Sequence, residues 1–168
     1  MATTYKAIST TVVPSTAATI EFLAIPQTYD DLVIMYSARS NNGATNWNNF
    51  KFAFNGLTTN AQWRFLAQYN QGMATTSIGG QIEAWVSFNG NTANTFSNTF
   101  VYISGYTRAT SKIMNIETAS GGNVVDQIIG WTSGLWENNA AITSITATPS
   151  AGSFMQYSTA TLYGIKRT

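Results

Sequence analysis

Acid–base chemistry in this chain falls first to carboxylates. Its 168 residues include no histidine and no cysteine, which removes imidazole bases, thiolate nucleophiles, disulfides and ordinary zinc sites. Seven carboxylates are left: Glu21, Asp30, Asp31, Glu83, Glu117, Asp126 and Glu137. Hydrolysis of a glycosidic bond needs two such groups held roughly 5–10 Å apart. Glu83 and Glu117 are the best pair, because both fall mid-strand and could face each other across two sheets. The competing reading puts each on the solvent face of its strand. Asp30 and Asp31 sit side by side in a turn, where each can bond its own backbone, but the spaced ligand set of a calcium loop is not apparent. Serine and threonine abound without a base partner, and a Ser–Lys dyad has no supporting motif. Gly79-Gly80 and Gly121-Gly122 read as turns rather than phosphate loops. The residues nominate no catalytic group, no cofactor and no metal ligands.

Binding chemistry has more material. Trp47 with Asn48, and Trp136 with Asn138, lie at Asn-rich turns. Indole rings beside amides could form a carbohydrate platform or a protein interface; the alternative is that the rings pack the core and cap its ends. Lys166-Arg167 makes a small basic tip that could meet an acidic neighbour in an assembly.

These residues must be positioned by strands. Alternation is clean in Phe50-Lys51-Phe52-Ala53-Phe54, and Leu32 to Arg39 begins apolar on both faces, as a central strand does. Further strands are expected over Thr4–Thr11, Thr19–Ile25, Gln81–Phe88, Thr99–Tyr106, Ser111–Ala119, Asp126–Trp136, Ala141–Thr148 and Thr159–Lys166. Asn60–Tyr69 fits a strand better than a helix of only ten residues. Ser40–Asn49 and Asn70–Gly80 read as loops. Asn55-Gly56 and Asn89-Gly90 read as tight turns, the second with hairpin flanks. Ten or eleven short strands without a capped helix predict an all-β fold: one domain over 1–168, a two-sheet antiparallel β-sandwich with a jelly-roll as the leading architecture. Residues 1–15 could form an extended N-terminal arm.

Composition narrows the partners. Only 9% of residues are charged and the formal net charge is +1, so the basic stripe that binds nucleic acid is missing. Thr, Ser and Asn make up 56 residues, one third of the chain, and give a surface that is polar but nearly fieldless. Such a chain has little charge to keep copies apart. No run of ~20 apolar residues predicts a membrane span, and Met1-Ala2-Thr3-Thr4-Tyr5-Lys6 does not open a signal peptide.

The order of several short segments carries a resemblance. Ser133-Gly134-Leu135-Trp136, Ala141-Ile142-Thr143-Ser144-Ile145 and Leu162-Tyr163-Gly164-Ile165-Lys166 resemble a group of tailed-phage virion proteins, many from phages of aquatic bacteria. So do Ile25-Pro26-Gln27-Thr28-Tyr29-Asp30-Asp31-Leu32, Ser37-Ala38-Arg39-Ser40, Phe54-Asn55-Gly56 and Gly105-Tyr106-Thr107-Arg108-Ala109-Thr110-Ser111-Lys112. The resemblance runs from Ile20 to Lys166 and implies a β-sandwich structural subunit of the virion, with no catalytic residues to carry over. The expectation is a non-enzymatic virion protein, made in the host cytoplasm. It would be a capsid decoration or cement protein, a homo-oligomer with a trimer favoured, contacting the major capsid protein or other virion proteins. The alternative is a tail-fibre or receptor-binding module with a carbohydrate site in the Asn- and Trp-rich loops.

Overall fold

The computed structural model describes residues 5–43, 48–69, 72–121 and 127–167. Among them the chain forms fourteen strands and no helix. In order these are β1 (Tyr5–Val12), β2 (Thr16–Ala17), β3 (Ile20–Phe22), β4 (Asp31–Ala38), β5 (Asn48–Phe54), β6 (Ala61–Tyr69) and β7 (Gly72–Gly79). They continue with β8 (Glu83–Val86), β9 (Ser97–Ser104), β10 (Lys112–Ser120), β11 (Ile128–Trp136), β12 (Ile145–Pro149), β13 (Phe154–Met155) and β14 (Thr159–Ile165).

The strands make an antiparallel sandwich of two unequal sheets. The large sheet has eight strands in the order β1-β14-β4-β9-β10-β11-β6-β7, and the small one four, β3-β12-β5-β8. A two-stranded ribbon, β13-β2, lies apart. The chain crosses repeatedly between sheets: β1, β4, β9 and β14 of the large sheet interleave with β3, β5, β8 and β12 of the small one. Two hairpins, β6–β7 and β10–β11, extend the large sheet past β9.

Period-two alternation explains the core. Phe50, Phe52 and Phe54 fall on one face of β5 and are buried, with ring centroids 5.2 Å and 6.2 Å apart along the strand. Tyr36 of β4 meets Phe50 at 5.0 Å, and Trp136 of β11 meets Phe54 at 5.5 Å. Leu32, Ile34, Val101, Ile103, Met114, Ile116 and Leu162 fill the large sheet's inner face. Each fully buried side chain of this size contributes roughly 1.5–3 kcal/mol. A smaller cluster of Ala67, Trp85 and Ile128, with Phe65 against it, closes the added hairpins. Glycine is required there: a Cβ on Gly130 would overlap the Trp85 ring.

Several expectations change. Asn70–Gly80 was expected to be a loop, but Gly72–Gly79 is an edge strand paired with β6. Its threonines favour extended backbone, while its glycines masked the pattern. Asn89-Gly90 does turn the chain, but its flanks do not pair with each other. β8 pairs with β5 in the small sheet and β9 with β4 and β10 in the large one, so this turn carries the chain between sheets. The segment read as an N-terminal arm is, over Tyr5–Val12, an edge strand on β14. Residues 141–144, read as the start of a strand, precede β12. Asn55 holds them, accepting from the Thr143 and Ser144 N–H groups at 2.8 Å and 3.1 Å and donating to Ala141 O at 2.8 Å.

Phe52→Ala should lower unfolding free energy by about 3–5 kcal/mol. Gly130→Ala should cost about 1–3 kcal/mol through overpacking against Trp85. Chemical denaturation of the two variants checks both values.

Candidate interaction surface on the large sheet

The inner face of the large sheet is covered; its outer face is open. β10 alternates strictly between buried and exposed, and β11 nearly so. The exposed set is not uniformly polar. Met35, Leu66, Ile113, Ile129 and Trp131 all stand on the outer face, and Trp131 is 49% exposed. Strand register aligns Met35, Phe100, Glu117, Trp131 and Leu66 across five neighbouring strands. The next row, one pleat repeat along, runs Val33, Tyr102, Asn115, Ser133 and Arg64. A groove of about 410 Å³ opens on this face, lined by Met35, Phe100, Glu117, Ile129 and Trp131 among others.

Glu117 stands within that groove. It has no hydrogen-bond or ion-pair partner among the described residues, and neither does the exposed Arg64. The other described carboxylates are all engaged. Glu21 accepts from Thr19 at 3.3 Å and Glu137 from Gln62 at 2.8 Å. Glu83 lies 3.3 Å from Lys51 and accepts from Asn49. Asp126 lies outside the described residues. The proposed confrontation of Glu83 with Glu117 does not occur: Glu117 projects from the outer face of the large sheet, while Glu83 is tied to β5 of the small sheet. Among the described residues no group of three or more potential metal-binding side chains occurs.

One end of the outer face is sealed by a clamp. Asp31 begins β4 and is 1% exposed. Its carboxylate accepts from the Gly105 N–H and the Tyr102 hydroxyl, each at 2.8 Å. Arg167 donates to it through Nε and a terminal nitrogen, also at 2.8 Å. Burial pushes the Asp31 pKa up, but the Gly105, Tyr102 and Arg167 hydrogen bonds together outweigh it and hold the carboxyl below its ordinary value. Lys166 lies 3.7 Å from Asp30. The basic tip therefore pairs within its own chain rather than offering both cations to an assembly, and Asp31 is a strand residue bonded to distant groups rather than to its own turn.

The aromatic–amide candidates do not converge. Trp136 is fully buried against Phe54, so its ring packs the core rather than a sugar. Asn138 shapes the turn after it, accepting from the Ala140 N–H at 2.7 Å. The backbone carbonyl of Asn138 accepts from buried Lys112 at 3.0 Å, while that ammonium lies 5.6 Å from the Trp136 ring centroid. Burial lowers the Lys112 pKa. Asn48 is buried too, donating to Ser40 Oγ at 2.7 Å and Ala151 O at 3.1 Å. Asn48 and Phe54 are the two ends of β5, about 20 Å apart at strand rise, so Asn48 and Trp136 serve opposite ends of the sandwich. Trp47 lies outside the described residues. The outer-face residues Phe100, Trp131 and Arg64 were not singled out from sequence. The available signal was an apolar residue at both parities of β11.

Comparison with protein-family models, curated proteins and solved structures finds no match.

The clamp sets a pH dependence. The folded state holds Asp31 ionised more firmly than the unfolded chain does. Its stabilisation is therefore present above the unfolded carboxylate pKa and is lost as pH falls through the lower, folded one. Thermal unfolding should show Tm dropping on acidification below about pH 4, and Asp31→Asn should lower Tm by a few degrees at neutral pH and flatten that drop.

Proposed function

We propose that this chain is a non-enzymatic structural protein of a tailed-phage particle, a decoration or cement protein that stabilises the capsid exterior through protein–protein contacts. The observation that carries the reading is the open outer face of the eight-stranded sheet. It is broad, apolar in the middle and nearly uncharged, and such patches mark protein contacts more than catalysis. The resemblance of the segments between Ile20 and Lys166 to virion proteins supports the same reading. So does the engagement of every other described carboxylate in holding the fold.

Strand order adds to it. Numbering the strands β1, β3, β4, β5, β8, β9, β12 and β14 from one to eight gives 1-8-3-6 in the large sheet and 2-7-4-5 in the small one. We read this as a jelly-roll with two hairpins added at one edge. The partners would be the major capsid protein or other virion proteins, met by many identical copies whose weak contacts sum through avidity. A carbohydrate-binding tail module is the second reading; the exposed Trp131 beside Asn115 and Ser133 favours it over the loop sites considered from sequence.

Particles prepared without this protein should disrupt at lower temperature than complete ones, and adding the purified chain back should restore the difference. Equal heat resistance with full composition would exclude the cement role. A glycan panel answers the second reading: binding that disappears with Trp131→Ala would favour it over the first.

A further inference from the structure

We propose that the outer face of β9, β10, β11, β6 and β7 pairs with the same face of a second copy of this chain about a two-fold axis, with Glu117 of each copy meeting Arg64 of the other. The inference deepens the reading of this face as a protein contact by naming the partner, and it departs from the three-copy expectation raised by sequence.

On the outer faces of β9, β10, β11 and β6, Glu117 and Arg64 are the charged side chains, and neither is engaged within the chain among the described residues. A surface carrying one unpaired anion and one unpaired cation is complementary to itself, because an isologous interface brings residue i against j and j against i. Register fixes where the two stand. Glu117 pairs across to Trp131 on β11, and Arg64 to Ser133 on the other side of that strand. The two charges are thus two strands and one pleat repeat apart, about 12 Å, with Trp131 and Ser133 at the midpoint.

A two-fold axis lying in the interface, passing between Trp131 and Ser133 and perpendicular to the line joining the charges, lays each Glu117 opposite an Arg64. It also brings Trp131 against its own copy. The groove beside Glu117 then receives the second copy's arginine. The guanidinium reaches the carboxylate, and its aliphatic stem lies along Phe100 and Trp131, where cation–π attraction adds to the ion pair. Five strands at ~4.8 Å spacing and some 25 Å of strand length offer roughly 600 Å² per copy, or about 1,200 Å² in total, the lower end of a stable interface. An axis beside Trp131 puts the most anchor-like ring near the centre, where binding energy concentrates.

Sedimentation equilibrium of the purified full chain tests the pairing through charge reversal. Wild type should be a dimer at micromolar concentration. Glu117→Arg and Arg64→Glu should each weaken it by about tenfold or more, and the double reversal should restore it. Both positions are exposed, and thermal unfolding should confirm that the variants fold as wild type does. Trp131→Ala, which leaves the charges in place, should also give monomer. A wild-type monomer or trimer, single reversals that leave the dimer intact, or a double reversal that fails to recover it would overturn the inference. A monomer that still restores heat resistance to deficient particles would sink this pairing while leaving the cement role standing.

Discussion

The fold is governed by a mismatch of area. Eight strands form one sheet and four the other, so the small sheet cannot back the whole of the large one. The phenylalanine row of β5 supplies a deep core that reaches Tyr36 of β4 and, past β9, Trp136 of β11. At the far end of the added hairpins the chain solves the problem locally. Trp85 spans the gap from β8, and Gly130 leaves room for its ring. The cost of carrying four extra strands is an outer face that nothing among the described residues covers. Methionine, isoleucine, leucine and tryptophan stand there in water, which is an unfavourable state for a free surface and an ordinary one for a contact.

The same chain has few charges and places most of them structurally. Buried Arg39 donates to the carbonyls of Thr92 and Thr95 at 2.9 Å and of Asn91 at 3.2 Å, fixing the connection into β9. Lys112 does the same for the connections around Thr110 and Asn138 at the other end. Backbone carbonyls replace water around both cations, which offsets part of the desolvation that lowers their pKa values. Asp31 and Arg167 tie the last residues of the chain to the start of a central strand. Against that pattern, a glutamate and an arginine unengaged among the described residues stand out on one open face as groups available for something outside the chain.

Much of the sandwich was readable because alternation is a local signal. Phe50, Phe52 and Phe54 announced a buried face, and Trp63, Phe65, Ala67 and Tyr69 announced β6 despite the competing helix pattern. What failed was whatever depended on distance or on parity. Arg167 finds Asp31 from 136 residues away, and no local pattern reports that. Asn89-Gly90 has the chemistry of a hairpin turn, but the strands it joins belong to different sheets, and pairing is decided by the sheets. β11 carries Trp131 at one parity and Trp136 at the other, so sequence could say that one ring faces inward and not which. The structure places Trp136 in the core and Trp131 outside, moving the candidate surface from the loops to the sheet.

The central claim is that the large sheet's outer face is a contact surface in the working assembly. Hydroxyl-radical footprinting reads it directly, since methionine and tryptophan oxidise readily when exposed. The account predicts that Met35, Met73 and Trp131 are oxidised in the dissociated, folded monomer and protected in the assembled protein, while Tyr157 at the sandwich end stays reactive in both. Oxidation of Met35 and Trp131 in the assembly at the rate of the dissociated, folded monomer would contradict it.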